Sequence, residues 1–280
     1  MEKNQISKNF SKTGIVWPLK TSSVVNRDNL EREYFNFQSK ANKIFKKKIA
    51  LKPHILSKFF FQLACDENVM TNVKEIIGED VYIWSSAFFA KAPSEGKIVS
   101  FHQDNPYWQL STDKVITAWI ALTNSNKESG CLEVVPNSSK LGMIGKLDVE
   151  DARESYLKGE KTTDSSDLLS YKHDLNEFLK VNKPVDICLT PGEYSIHHVN
   201  TVHGSGINNT NNYRIGFAVR YISSDTYHLR EKSDLATHIS GKKNDYYKNE
   251  KIPSGEFTKD STDQYRKSMS STGVFGNKKY

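Results

Sequence analysis

The ten residues Val81-Tyr82-Ile83-Trp84-Ser85-Ser86-Ala87-Phe88-Phe89-Ala90 mark a change of texture in this 280-residue chain. β-Branched and aromatic side chains dominate the run, and it is far shorter than the roughly 20 apolar residues that a membrane span requires, so it reads as a buried strand. Similar runs follow at 97–101, 115–123, 131–135, 185–189, 194–198 and 215–222. Their separators are rich in turn formers: Pro93-Ser94-Glu95-Gly96, residues 124–130, Pro191-Gly192 and residues 208–212. At least seven strands joined in this way predict an antiparallel sandwich or barrel.

Upstream the period lengthens. Leu30, Tyr34, Phe37, Ala41, Ile44 and Phe45 recur at three and four positions in a segment opened by Asn26, and Ile55, Leu56, Phe59, Phe60 and Leu63 do so after Pro53. Both read as amphipathic helices, with the proline near a helix start, and a third helix over 68–77 stops at Gly78. Residues 141–184 lapse into a polar, mostly helical stretch that reads as an insertion over one end of the barrel. The segment 223–280 is poor in aliphatic residues and is expected to wrap the surface and fray. The organisation expected is one domain over 1–280, with N-terminal helices at 26–78, a β core at 81–222, a lid insertion at 141–184 and a C-terminal tail.

Thirty-nine basic against thirty-three acidic residues give a net charge of +6. The excess is spread along the chain apart from Lys46-Lys47-Lys48 and a lysine-rich tail, so it reads as a solvated surface and not as a nucleic-acid footprint. The first ten residues hold no apolar stretch of the kind a secretory signal needs, and a cytoplasmic protein without membrane or nucleic-acid partners is expected. Cys65, Cys131 and Cys188 match neither a disulfide framework nor a zinc motif and are expected to be reduced and buried.

The chemistry concentrates in two places. In Phe101-His102-Gln103-Asp104 an extended backbone turns His102 and Asp104 to one side and Gln103 to the other. About a hundred residues later, Tyr194-Ser195-Ile196-His197-His198-Val199-Asn200-Thr201-Val202-His203 supplies three histidines. Two histidines and one carboxylate from two strands make the facial triad of non-heme Fe(II) oxygenases. Eleven residues after His203, Arg214 opens the strand that runs to Ile222. Its guanidinium can pair bidentately with the far carboxylate of a 2-oxo acid whose other end chelates the metal.

In this arrangement the chain resembles the phytanoyl-CoA dioxygenase family of 2-oxoglutarate-dependent oxygenases. The resemblance rests on residues 102–108 (His-Gln-Asp-Asn-Pro-Tyr-Trp), 116–122 (Ile-Thr-Ala-Trp-Ile-Ala-Leu) and 128–136 (Glu-Ser-Gly-Cys-Leu-Glu-Val-Val-Pro). It continues with Pro191-Gly192-Glu193-Tyr194, His203-Gly204-Ser205-Gly206, Arg214 and Arg220-Tyr221. It implies a mainly β fold with flanking helices: a double-stranded β-helix, the jelly-roll of cupin-like proteins. It also implies Fe(II), 2-oxoglutarate and O2 as cofactors, His102, Asp104 and His203 as iron ligands, and Arg214 as the clamp for 2-oxoglutarate aided by Ser205, Trp119 and Lys91. Trp108 and Gln103 are expected at the substrate. His197 and His198 compete with His203 as ligand; the spacing to Arg214 favours His203. His54, His173, His228 and His238 are expected to be structural or surface residues.

One departure is the run Pro136-Asn137-Ser138-Ser139-Lys140, where relatives carry Pro-Gly-Ser-His-Lys. The family's halogenating members replace the carboxylate ligand by Gly or Ala; Asp104 keeps it, so hydroxylation is the expected outcome. The substrate expected is a small amino- or ammonium-bearing metabolite, by analogy with ectoine and aminophosphonate hydroxylases and because 143–186 carries more acidic than basic residues. A natural-product intermediate, an acyl-CoA, or the chemistry of a metal-dependent cupin other than an oxygenase are the alternatives. The protein is expected to act as a monomer or homodimer.

Overall fold

The apolar runs pair into two sheets in a computed structural model of the chain, in which residues 5–145, 164–169, 173–229 and 232–270 are described. The larger sheet has the order β1-β7-β4-β9-β2-β10-β11 and the smaller β3-β8-β5-β6. The strands are β1 (Ile15–Lys20), β2 (Val81–Lys91), β3 (Val99–His102), β4 (Val115–Ala121), β5 (Leu132–Val134), β6 (Val185–Ile187), β7 (Glu193–His198), β8 (His203–Ser205), β9 (Arg214–Ser223), β10 (Asp234–Ser240) and β11 (Tyr247–Asn249). Neighbours are antiparallel except β10 and β11. The two sheets form the jelly-roll that the family resemblance implies, with helices flanking the larger one.

Central strands buried on both faces read as near-continuous apolar runs, and β4 and β9 are buried at every position. Their two faces nevertheless differ. The outward residues Ile116, Ala118 and Ile120 of β4 and Ile215, Phe217, Val219 and Tyr221 of β9 join the main core. Against them pack Leu30, Tyr34, Phe37 and Ala41 of α2 (Leu30–Phe45), Phe60 and Leu63 of α3 (Lys58–Ala64), and Val69 and Val73 of α4 (Glu67–Ile77). Phe37, Phe60, Phe88 and Phe217 meet largely edge-to-face at 4.7–5.5 Å, a geometry the ring quadrupole favours.

The helix ends follow their capping chemistry. Ser57 accepts from the Phe60 N–H and Asp66 from Asn68 and Val69, so the helix expected from Pro53 onward splits into a short 3-10 turn and α3. α1 (Gln5–Thr13), β1, β10, β11 and α7 (Lys259–Ser270) lie outside the expected elements. The segment after 223 therefore extends the larger sheet and is not only a surface wrap. Of the expected lid at 141–184, residues 146–163 and 170–172 lie outside the described residues; the rest includes α6 (Asn176–Val181). α5 (Asn105–Trp108) is a single turn after the first histidine motif.

A buried ionic knot ties the C-terminal segment down. Glu250 accepts from Lys52 Nζ at 2.7 Å and Ser268 Oγ at 2.9 Å and faces His54 Nε2 at 3.7 Å, while His54 Nδ1 meets Ser86 Oγ at 2.6 Å. Burial pushes the Glu250 carboxyl up, but Lys52 and His54 outweigh it and hold the group at about 2. His54 is thus structural, as expected. Glu250→Ala strands the Lys52 ammonium in the interior and is expected to destabilise the fold by about 3–5 kcal/mol in a denaturant titration, the cost of breaking a buried pair from one side.

Candidate active site

β3 and β8 bring the two histidine motifs together, because their register makes His102 and His203 direct partners, with ring centroids 4.1 Å apart. Asp104 sits just beyond β3 at the foot of α5 and closes the group: ligand atoms of His102, Asp104 and His203 all lie within 4.8 Å of one another, and all three residues are buried. Each histidine is oriented by a backbone carbonyl, His102 Nδ1 on Ser100 O at 2.8 Å and His203 Nδ1 on Thr201 O at 2.9 Å. A carbonyl only accepts, so each Nδ1 carries the proton and each Nε2 offers its lone pair to a cation. Burial and the His102 charge push His203 down to about 4, and Asp104 is held ionised because His102, His203 and Arg220 outweigh its burial. Two imidazoles and one carboxylate on one side of a centre suit a divalent metal with open positions, as in non-heme iron sites.

Of the two neighbouring histidines, His197 faces inward. Its ring lies 4.8 Å from that of His203. His198 points the other way, toward Phe10 and to 3.7 Å from Asp113.

A second cluster lies where β2 and β9 end. Their register sets Lys91 opposite Arg214. Lys91 Nζ donates to Ser205 Oγ at 2.6 Å, to Ser205 O and to Gly206 O; Arg214 Nη2 donates to the same Ser205 hydroxyl at 3.3 Å and Nη1 to Phe89 O at 3.4 Å. The Arg214 guanidinium lies 5.5 Å over the Trp119 ring, and its Nε is buried with no partner. Burial and the Arg214 charge lower Lys91 to about 7; burial lowers Arg214 to about 10. Two buried cations with an unpartnered donor make a cage for an anion. Trp119 keeps its place only because position 216 has no side chain, a Cβ there falling 1.9 Å from the indole.

Between the clusters runs a polar row on the inner face of the larger sheet. His197 of β7, Thr117 of β4, Arg220 of β9 and Ser85 of β2 are consecutive cross-strand partners, with Ser195 beside Trp119 in the next row. His197 Nδ1 and the hydroxyls of Ser85, Thr117 and Ser195 are buried without a hydrogen-bond partner. Burial keeps His197 neutral. Of these the sequence singles out only His197, as a competitor of His203 for the metal; alternation along each strand is visible in it, but the register that aligns them is not.

Gln103 is a correction. Its amide donates to Gly142 O at 2.8 Å and Asn200 O at 2.7 Å and accepts from Ile144 N at 2.8 Å, so it fastens the 142–145 segment instead of meeting substrate. The residue between two ligands of an extended segment points away from them. His173 assists, with Nδ1 toward Gln103 N and Nε2 on Ile144 O at 2.6 Å. Trp108 is buried edge-to-face on Trp84 at 5.3 Å, and the Arg220 guanidinium lies 5.4 Å over its ring.

A sequence model of the phytanoyl-CoA dioxygenase family matches residues 26–216, more than half of the chain. The protein belongs to that family. It is 25% identical over 177 residues to a probable alpha-ketoglutarate-dependent hypophosphite dioxygenase of Stutzerimonas stutzeri, covering 63% of this chain and 57% of the relative. It is 24% identical over 186 residues to the peroxisomal phytanoyl-CoA dioxygenase of Homo sapiens, covering 65% and 51%. The chain thus spans little more than half the length of the curated relatives it matches. Among solved structures it is similar to the ThoJ-Ni complex of a non-heme monooxygenase, with a TM-score of 0.75, 18% identity and coverage of 95% and 96%. At that identity the likeness speaks for the fold. No helix among the described residues is long and apolar enough to cross a membrane.

His102→Ala, Asp104→Ala and His203→Ala are each expected to abolish stoichiometric Fe(II) binding in equilibrium titration while the circular dichroism spectrum stays native. His198→Ala is expected to bind iron normally. Loss of metal in the His198 variant with retention in the His203 variant would reverse the ligand assignment.

Proposed function

We propose that this protein is an Fe(II)- and 2-oxoglutarate-dependent dioxygenase that hydroxylates an unactivated C–H bond of a small polar, amino- or ammonium-bearing metabolite and releases succinate and CO2. The observation that carries the reading is the pairing, inside one barrel, of the His102–Asp104–His203 group with the Lys91–Ser205–Arg214 cage. The first is a ligand set with open positions, and the second is a cationic socket for a carboxylate. Bound iron supplies the activation of O2 and the oxidation of the C–H bond.

The chain's own part is positioning. Arg214 and Lys91 hold the distal carboxylate of 2-oxoglutarate, with Arg214 Nε as a donor in waiting. Ser100 and Thr201 fix the two imidazoles through their carbonyls. Trp119 and Gly216 wall the socket, and the surrounding apolar strands exclude water, which strengthens each charged contact.

The substrate reading is supported by the inner polar row. A neutral imidazole and three hydroxyls, all buried and unpartnered, can accept from an amino N–H, and an acyl chain would leave them dry. The acidic excess of 143–186 lies in its described residues, where Asp164, Asp167, Asp174, Glu177 and Asp186 stand against Lys180 and Lys183. Succinate formation with Fe(II), 2-oxoglutarate and a panel of amino acids, quaternary amines, aminophosphonates and acyl-CoA thioesters tests the reading. Tight coupling with an amino-bearing compound is the expected result, and coupling with an acyl-CoA alone overturns it.

Arg214→Ala is expected to raise the 2-oxoglutarate requirement by at least about tenfold, since losing one side of a desolvated charge pair costs about 2–5 kcal/mol. Lys at position 214 restores only part of it, lacking the planar fork. The Lys91 ammonium deprotonates near pH 7, whereas a bound dianion favours its charged form. Apparent affinity for 2-oxoglutarate is therefore expected to fall as pH rises above about 7, by up to roughly tenfold per pH unit, the limit set by one linked proton. Lys91→Met is expected to bind more weakly and to flatten that dependence in titrations from pH 6.5 to 9.

A further inference from the structure

The smaller sheet carries a feature the proposed reaction does not use. β5 and β6 are antiparallel partners with Leu132 opposite Ile187, Glu133 opposite Asp186 and Val134 opposite Val185. Continuing the register by one residue sets Cys131 opposite Cys188. Both cysteines are free, and the Cys188 thiol is near enough to help raise that of Cys131. The Cys131 N–H donates to Asn126 O and not across to β6. Directly opposed residues hold their Cβ atoms about 4.5–5.5 Å apart, closest where the pair exchanges no backbone hydrogen bonds. A disulfide needs Cβ atoms about 3.5–4.5 Å apart, so closure asks only a small inward movement of the two strand ends.

The two thiols differ in a useful way. Cys188 is exposed, whereas Cys131 is buried and, for that reason, raised to about 12. This corrects the expectation that all three cysteines are buried: Cys65 is only half-buried, and Cys188 stands just past the end of β6, whose first two residues are themselves exposed.

Cys131 also lies against the carboxylate socket. Gly130, which precedes it, is pressed to the backbone of the Ser205 loop: a Cβ at that position falls 2.3 Å from Gly206 O and 2.6 Å from Ile207 O. Gly206 O is one of the acceptors of Lys91 Nζ, and Cys131 lies within electrostatic reach of both Lys91 and Arg214. A movement of the 130–131 backbone therefore reaches the socket through one layer of contacts.

We propose that Cys131 and Cys188 form a reversible cross-strand disulfide, made by exchange with a small-molecule disulfide, and that its closure shifts Gly130 against Gly206 and weakens 2-oxoglutarate binding at the Lys91–Ser205–Arg214 socket. This rests on the reading of that socket given above. In the first step the Cys188 thiolate attacks one sulfur of glutathione disulfide, forming a mixed disulfide and releasing one glutathione thiolate. The Cys131 sulfur then gives up its proton to solvent and attacks the Cys188 sulfur, which releases the second glutathione. Two protein thiols are oxidised by two electrons and one glutathione disulfide is reduced to two thiols; excess reduced glutathione runs both steps backward. Cys131 is a poor nucleophile in bulk terms, but its fixed place beside the mixed disulfide gives it a high effective concentration.

The test equilibrates the full-length protein in glutathione buffers of graded oxidised-to-reduced ratio, followed by alkylation, peptide mapping and 2-oxoglutarate titration of the same samples. The expected result is an intramolecular Cys131–Cys188 linked peptide with Cys65 still alkylated. With it comes a rise in the Kd for 2-oxoglutarate of roughly tenfold, within the range that a misplacement of about 1 Å produces. Reduction should reverse both, and neither should appear in Cys131→Ser or Cys188→Ser. A mixed disulfide that stops at Cys188, a linked peptide between two chains, or a linked peptide with unchanged 2-oxoglutarate Kd overturns the proposal. So does an equal loss of affinity in oxidised Cys188→Ser. If the reduced protein binds no 2-oxoglutarate at all, the reading of the socket fails instead, and peptide mapping still decides whether the bond forms.

Discussion

Two cations buried on one hydroxyl set the terms for the rest of the barrel. Lys91 and Arg214 approach Ser205 from facing positions on β2 and β9, and among the described residues neither has a carboxylate hydrogen-bonded to it. Like charges brought together out of water oppose each other, and the lowered Lys91 proton affinity is the local expression of that opposition. Such a cluster persists in a folded protein because the surrounding structure over-determines it. Here the register of the two long central strands does so, and that register is held by Phe88 and Phe217 on the outer face, where α2 and α3 pack. The helical layer, remote from the socket, is thereby what keeps two repelling groups in place for the dianion proposed to bind there.

The sheets divide the work. The larger sheet supplies long strands with an apolar outer face and an inner face that carries the socket and the polar row. The smaller sheet has strands of only three or four residues, and its ends carry the candidate metal group. Short strands with strong local restraint suit ligands that must hold their rings at fixed angles: each histidine is pinned by a carbonyl two residues earlier in its own strand or approach. Gln103 adds a cross-brace from β3 to Asn200 and to the 142–145 segment, so the metal group is tied to three separate stretches of chain.

What could be read from the sequence follows from which patterns are local. The central strands declared themselves as apolar runs, and the pair His102 and Asp104 as a two-residue spacing. β1 was missed because Pro18 interrupts Ile15–Lys20, as happens in edge strands. β10 was missed because only Leu235, Ala236 and Ile239 of Asp234-Leu235-Ala236-Thr237-His238-Ile239-Ser240 are apolar and the segment lies in a polar neighbourhood. The row from His197 through Thr117 and Arg220 to Ser85 depends on three registers between strands tens to more than a hundred residues apart, and no local pattern encodes those. The same holds for Cys131 and Cys188, whose separation in sequence conceals that they are cross-strand neighbours.

The inner face explains how such a barrel can choose among substrates while using a common oxidant. In the reaction proposed, socket and metal group treat every substrate alike, since they handle only iron and 2-oxoglutarate. Discrimination then falls to the groups left over: His197 Nδ1 and the hydroxyls of Ser85, Thr117 and Ser195, all buried and unpartnered. A ligand that pairs with them recovers hydrogen bonds the fold leaves unmade, whereas an apolar ligand of the same size excludes water from them and restores nothing, at about 1–3 kcal/mol for each group left dry. That asymmetry rejects an analogue lacking the right polar atoms far more strongly than a hydrophobic pocket rejects one methylene too many. A polar row in an otherwise apolar barrel is thus a liability to stability that becomes selectivity once the site is filled.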